Sequence, residues 1–312
     1  MRILLGIALF GLATYLIAGY LLSSLILEPP PRRSTVDSNE ALAEGWGYNQ
    51  DSLLQLLAPP ESVTFISSPS ELELHAWYFR GAEGARCGAV LAHGITENRA
   101  NTLKYAAMLR DCGCHMLLFD QRCHGASEGH FLTGSASESD DVLAAHAFLA
   151  RRAGIAPNQI ALIGESWGAS AVLVAAAKTN DIAFVLADSP FTSWHDAIVQ
   201  RADKQYGTWL RLLLPATYAW VEWRTGVDMN FAAPREAAAK ISVPTLLMHV
   251  ASDTVTPAFH SREIAAQLDS TLGGVRILSW PAWHAHGALY DPVAYRTIVD
   301  SFLLHKGVEW CH

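Results

Sequence analysis

Hydrophobic positions fall into three regimes along the chain. From Ile3 to Leu27 they run without a charge, a proline or a strong breaker between them. As a helix this stretch is about 37 Å long at 1.5 Å per residue, enough to cross a bilayer with some tilt. From Val63 onward, short β-branched or aromatic runs alternate with longer stretches at helical spacing. The runs Val63 to Ser67 and Leu72 to Arg80 predict an opening antiparallel pair. Gly88 to Ala92, Met116 to Asp120, Ile160 to Ile163, Phe184 to Ala187, Thr245 to Val250 and Arg276 to Trp280 predict further strands. Thr102 to Asp111, Ser137 to Arg152, Ala169 to Lys178 and Ser261 to Leu268 carry helical spacing between them. Strands joined at this rhythm by crossover helices build a mostly parallel sheet covered on both faces, with catalytic groups at the carboxyl ends of the strands.

The third regime is an insertion from about 192 to 240, where Trp194, Tyr206, Trp209, Tyr218, Trp220, Trp223 and Phe231 are interleaved with leucines. Its spacing suits a helical cap with its own apolar core, and any part facing the site would offer an acyl-chain pocket. The expected organisation is a transmembrane anchor over 1–27, a spacer and short helix over 28–62, and a catalytic domain over 63–312. The run Pro29-Pro30-Pro31 is expected to stand the domain off the membrane. A cleavable signal peptide is the alternative to an anchor, but its apolar stretch is shorter and no A-x-A cleavage pattern precedes Glu28. Arg2 on one side and Arg32 with Arg33 on the other nearly balance, so orientation stays open.

Composition changes this picture little. A chain of 312 residues, 51% hydrophobic and 17% charged, is neither disordered nor a small stapled scaffold. A net charge of −8 argues against a nucleic-acid surface. Cys87, Cys112, Cys114, Cys123 and Cys311 form an odd set without CxxC spacing, from which neither a disulfide framework nor a zinc ribbon is read. Neither a Walker A loop nor a well-placed G-x-G-x-x-G appears.

The sharpest chemical signal is Gly164-Glu165-Ser166-Trp167-Gly168, between the run Ile160 to Ile163 and a helix of small residues beginning at Ala169. That is the context of a nucleophile elbow, in which a strained turn presents a serine at the edge of the sheet beside a helix amino terminus. Serine needs a base oriented by a third group. Asp253, in the loop after Thr245 to Val250, is the candidate acid, with Asp188 as an alternative for which a structural role is preferred. The candidate base is His284 or His286, in the loop after the last strand. As metal ligands the two histidines lack a convincing third partner. The backbone amides of Ile95 and Trp167 are the candidate oxyanion donors. His124, His249 and His260 read as satisfied structural or surface histidines.

Together these residues resemble the α/β-hydrolase superfamily from about Val63 onward, and within it membrane-anchored serine hydrolases of the esterase, lysophospholipase and monoacylglycerol-lipase kind. The resemblance rests on His93-Gly94, on Asp120-Gln121-Arg122-Cys123-His124-Gly125-Ala126-Ser127 (similar to D-x-R-x-H-G-x-S), on Gly164 to Gly168, on Asp188-Ser189-Pro190-Phe191, and on Asp253 with Pro257. In such relatives the catalytic histidine precedes an Asp-Pro-x-x-Tyr segment. Asp291-Pro292-Val293-Ala294-Tyr295 stands at that spacing after His284, so the resemblance favours His284 as the base. It also implies that D-x-R-x-H-G-x-S shapes a turn and takes no part in chemistry. His249-Val250-Ala251 departs from the usual His-Gly before the acid. A serine at the elbow excludes the haloalkane dehalogenase branch, which has aspartate there.

The expected activity is hydrolysis of carboxylic esters or thioesters of an apolar or lipid-like substrate through an acyl-enzyme, with no metal or organic cofactor. Peptide or amide cleavage on the same fold, or a catalytically silent membrane-tethered binding protein, are the alternatives. The expected partners are a small-molecule ester and, through the N-terminal helix, a membrane.

Overall fold

The computed structural model describes residues 1–29, 49–229 and 233–311, so most of the expected spacer, and Phe231 of the cap, lie outside the described residues. Eight strands form one sheet: β1 (Glu61–Ser67), β2 (Leu72–Phe79), β3 (Gly88–Ala92), β4 (His115–Phe119), β5 (Ile160–Glu165), β6 (Val185–Asp188), β7 (Thr245–Val250) and β8 (Gly273–Leu278). They lie in the order β1-β2-β4-β3-β5-β6-β7-β8. β2 is antiparallel to both its neighbours and every other pairing is parallel. Every residue of β3, β4, β5, β6 and β7 is buried, which is why these runs show no polar alternation in the sequence.

Helices cover both faces. α1 (Arg2–Leu27) precedes the sheet and α2 (Gln50–Gln55) leads into it. On one face α4 (Glu138–Ala153) and α5 (Trp167–Ala176) pack through Val142, Leu149, Ala171 and Val172. On the other face α3 (Leu103–Met108) and α11 (Pro292–His305) pack through Tyr105, Tyr295, Val299 and Phe302. The cap consists of α6 (Trp194–Tyr206), a 3₁₀ turn over Thr208–Leu213, α7 (Leu214–Thr225) and α8 (Pro234–Ala238). α9 (Phe259–Ala265) follows β7, and α10 (Gly287–Tyr290) follows the histidine loop.

Four features differ from expectation. The last strand begins at Gly273, not Arg276. Its two glycines resemble a turn but are required by packing, since a Cβ on Gly273 would lie 2.6 Å from Leu268 Cβ and one on Gly274 2.9 Å from the Phe302 ring. α11 was not anticipated as a helix, although its start is capped: the Asp291 carboxylate accepts the Ala294 amide, with Pro292 in the first turn.

The third difference concerns α1, which does not stand apart from the domain. Its second half lies on cap helix α7, where a Cβ on Gly19 would come within 2.6 Å of Ala216 Cβ. The Trp220 indole donates to the Leu16 carbonyl at 2.9 Å, and Arg224 donates to Ser23 and Ser24 Oγ at 3.1 and 2.9 Å. The Leu27 carbonyl accepts the Leu132 amide at 2.8 Å.

Fourth, the cysteines pair. Cys87 is joined to Cys114 and Cys112 to Cys311, with Cys123 buried and outside both disulfides. The pairing was invisible because Cys112 and Cys311 are 199 positions apart and meet only through the fold. In chain-entropy terms a loop of that length contributes about 5 kcal/mol of stability. Denaturing the protein with an alkylating reagent is expected to modify one cysteine without reductant and five after reduction, as read by intact mass. More than one before reduction contradicts the pairing.

Candidate active site

The elbow at Ser166 is a product of backbone crowding. Ser166 has φ +52° and ψ −114°, a conformation side chains rarely adopt and that costs on the order of 1–3 kcal/mol. It is held by its own amide, which donates to the Asp188 carbonyl at 2.7 Å, and by two glycines that let three segments touch. A Cβ on Gly164 would sit 2.4 Å from the Gly168 carbonyl oxygen, and one on Gly168 would sit 2.2 Å from the Ala92 carbonyl oxygen at the end of β3. Trp167 opens α5, where helix amides lack an intrahelical acceptor. The Gly94 side of the β3 loop approaches the same point, since a Cβ there would be 3.5 Å from Ser166 Cβ.

That loop is braced from below. His93 Nδ1 donates to the Gly94 carbonyl at 2.7 Å and its Nε2 accepts the Gln121 amide at 3.0 Å. The Thr96 amide donates to His124 Nε2 at 3.3 Å, while His124 Nδ1 donates to the Arg122 carbonyl. Asp120 accepts the Arg99 and Ala126 amides and the Arg99 guanidinium. Arg122 pairs with buried Asp141 through two nitrogens at 2.6 and 2.7 Å. Asp120, Arg122 and His124 thus hold the turn under the Ile95 loop and do not line the cavity beside Ser166.

At the end of β7, Asp253 is fully engaged. Its Oδ1 accepts the Val255 and Thr256 amides at 2.8 and 2.9 Å, closing an Asx turn. Its Oδ2 accepts His284 Nδ1 at 2.5 Å and lies 3.2 Å from His249 Nε2. Burial alone would raise this carboxyl, but the hydrogen bonds from His249 and His284, the His284 charge and the Thr256 amide outweigh it and hold the group well below the usual carboxylate range. The partner of Asp253 is therefore His284 and not His286, whose carbonyl instead caps the start of α10. His284 Nε2 is buried with no hydrogen-bond partner among the described residues.

His249 is buried, its Nδ1 accepts from Ser261 Oγ at 2.7 Å, and its Nε2 donates to the Thr256 carbonyl at 2.6 Å beside Asp253. It is thus a satisfied structural histidine, as its sequence context suggests, and its spacing of four from Asp253, out of a buried strand, is the signal for the contact beside the carboxylate. Asp188 is occupied elsewhere. It accepts Tyr105 and Tyr295 hydroxyls at 2.9 and 2.8 Å and Ser189 Oγ at 2.9 Å, which explains the tyrosine of the Asp-Pro-x-x-Tyr segment as a core contact. Glu165, the variable residue of the elbow, forms a buried ion pair with Lys104.

Ser166, Ile95, Trp167 and Asp253 share the wall of one cavity of about 960 Å³. Its far side is α6, with Trp194, Ala197 and Ile198, and the surface is mainly apolar with Gln200, Arg201 and Lys204 toward the rim. A serine in a strained elbow, a histidine whose one free ring nitrogen is buried, and an apolar chamber suit acyl transfer. Among the described residues no group of three or more His, Cys, Asp or Glu side chains is arranged to hold a metal ion.

Comparison with known proteins agrees with this architecture. The family described as serine aminopeptidase, S33, matches residues 85–234. The uncharacterized protein YqkD of Bacillus subtilis is 31% identical over 170 residues, which is 54% of this chain and 55% of that protein, so the chain spans about half the length of that relative. The quorum-quenching protein AidA of Acinetobacter baumannii is 33% identical over 145 residues, 45% of this chain and 47% of that one. Among solved structures, the Pyrococcus furiosus esterase Pf2001 superposes with TM-score 0.66 at 20% identity, covering 91% of this chain and 100% of that one. Pyrococcus horikoshii acylaminoacyl peptidase superposes with TM-score 0.60 at 17% identity, covering 83% of this chain and 44% of that one. With the eight-stranded sheet, the elbow at its centre and these likenesses, the chain has the α/β-hydrolase fold.

Proposed function

We propose that this protein is a serine esterase acting on carboxylic esters or thioesters with an apolar acyl group. The observation that carries the proposal is that Ser166, in its strained elbow, shares one cavity with Asp253, whose carboxylate accepts His284 Nδ1 at 2.5 Å. His284 takes the Ser166 proton through Nε2 as Oγ attacks the carbonyl, and Asp253 holds the ring in the tautomer that leaves Nε2 basic. The Ile95 and Trp167 amides stabilise the oxyanion. His284 returns the proton to the leaving alkoxide or thiolate, and then activates the water that releases the acid. The mainly apolar wall along α6 favours an acyl chain over a peptide backbone, which would need hydrogen-bonding edges.

The N-terminal helix, 26 residues with mean hydropathy 2.0, is read as a single-pass membrane anchor, which leaves the active domain tethered beside a bilayer. Two disulfides favour the oxidising side of that membrane for the domain. Five free thiols in protein alkylated at the moment of lysis would put it on the reducing side instead.

A fluorophosphonate probe is expected to label the intact protein at Ser166 and to fail on Ser166→Ala, whose turnover should fall on the order of 10⁶-fold. Asp253→Asn should lose about 10⁴-fold in kcat with little change in KM. p-Nitrophenyl acyl esters should turn over and aminoacyl anilides should not. Faster anilide cleavage would make the protein an amidase, and an unlabelled folded protein would sink the serine mechanism.

The pH dependence follows from two other histidines. Burial holds His286 down at about 3 and His260 at about 4, so neither ionises in the working range. The acid limb of kcat/KM is therefore expected to survive in His286→Asn. Each depressed histidine contributes stability that is full above about 6.5, the value in an unfolded chain, and is lost as pH falls toward the folded values. The melting temperature should drop between pH 6.5 and 4, and less steeply in His260→Gln.

A further inference from the structure

We infer that the cap is seated in the bilayer, so that its exposed apolar face lies at acyl-chain depth and the cavity draws an amphiphilic ester laterally from the leaflet. This rests on reading α1 as a membrane span, and it follows from where along α1 the cap is attached. Arg2 is charged and belongs at one interface. From Ile3, about 20 residues at 1.5 Å each are needed to traverse about 30 Å of hydrocarbon. That carries the apolar layer to the level of about Leu22, and tilt carries it further.

The cap is bound to α1 below that level. Trp220 bonds to the Leu16 carbonyl and stacks edge-on against Tyr20, and Ala216 touches Gly19. Just beyond the level, the polarity changes. Ser23, Ser24 and Glu28 all meet the Arg224 guanidinium, a layer suited to the headgroup boundary. The boundary therefore runs through α7, between Trp220 and Arg224.

The part of the cap that this depth assigns to lipid has the surface for it. Trp209, Leu212 and Trp223 are 59%, 74% and 75% exposed, values unusual for residues of this size in a water-facing domain. Trp209 and Leu212 lie in the 3₁₀ turn that leads into α7 and Trp223 lies within α7, where it stacks edge-on against Trp220. Tryptophan at this depth matches the aromatic belt of membrane interfaces. The cavity adjoins this face. α6 lines it as far as Lys204 and Gln205, and the exposed Tyr206 and Trp209 follow directly. An ester with its tail in the leaflet would enter past those rings with its carbonyl leading toward Ser166.

Tryptophan fluorescence tests the seating without reference to catalysis, because α1 contains no tryptophan. The full chain is reconstituted into phosphatidylcholine vesicles whose acyl chains are brominated near the headgroup. Part of the emission should be quenched, and Trp209→Phe with Trp223→Phe, which keep the surface apolar, should reduce the quenched fraction at least about two-fold. Protein that floats with the vesicles but shows no bromolipid quenching, or whose quenching those substitutions leave unchanged, overturns the seating while leaving the anchor intact. Protein that does not float overturns the membrane reading itself. In the catalytic arm, Leu212→Asp with Trp223→Asp is expected to slow a long-chain ester presented in vesicles at least about ten-fold while leaving soluble p-nitrophenyl butyrate unchanged. Equal loss on both substrates would count against lateral entry, and no turnover of either by the wild type would count against the esterase reading alone.

Discussion

The contact on which the rest depends is between backbones. Gly168 at the start of α5 rests on the Ala92 and His93 carbonyls at the end of β3, closer than any side chain would allow. That approach brings the α5 amino terminus, the Ile95 loop and Ser166 together, and Gly164 permits it from the strand side. Unlike a charge pair, a steric fit of this kind does not weaken with salt or pH, and its strain is borne by a fully buried sheet.

Around this fixed point the polar groups are arranged in depth. Asp253 is tied by four contacts and orients one histidine. Asp188 is tied by three hydroxyls and orients none. The two aspartates belong to neighbouring strands, Asp188 as the last residue of β6 and Asp253 in the loop after β7, and differ in what they meet: Tyr105 and Tyr295 reach Asp188 from α3 and α11, while Asp253 is turned toward the histidine loop. One becomes part of the core and the other part of the site because of helices far from either in sequence.

Much of this was legible in the sequence. The buried strands announce themselves because burial on both faces removes polar alternation, and the elbow does so because only glycine tolerates its crowding. The hydrogen bond from His284 to Asp253 joins two residues that chain order and the Asp-Pro-x-x-Tyr segment single out as candidates. What escaped were relations between distant positions. The contact of His249 with Asp253, the packing of Gly19 on Ala216, and the joining of Cys112 to Cys311 have no local periodicity, since each depends on where the fold carries the chain. β8 was misplaced for the opposite reason, because Gly273 and Gly274 carry a local turn signal that packing overrides.

The bond between Cys112 and Cys311 has a topological consequence. It closes a covalent ring that contains Ser166, Asp253 and His284 together with the whole cap. A single cut in any loop of that ring therefore yields one molecule with a new pair of ends, still carrying every candidate catalytic group on one connected chain. Cleavage ahead of Cys87, before both disulfides, would instead break the covalent link between α1 and the ring. A nick inside the ring thus leaves the domain covalently whole, whereas one ahead of both disulfides parts it from the N-terminal helix.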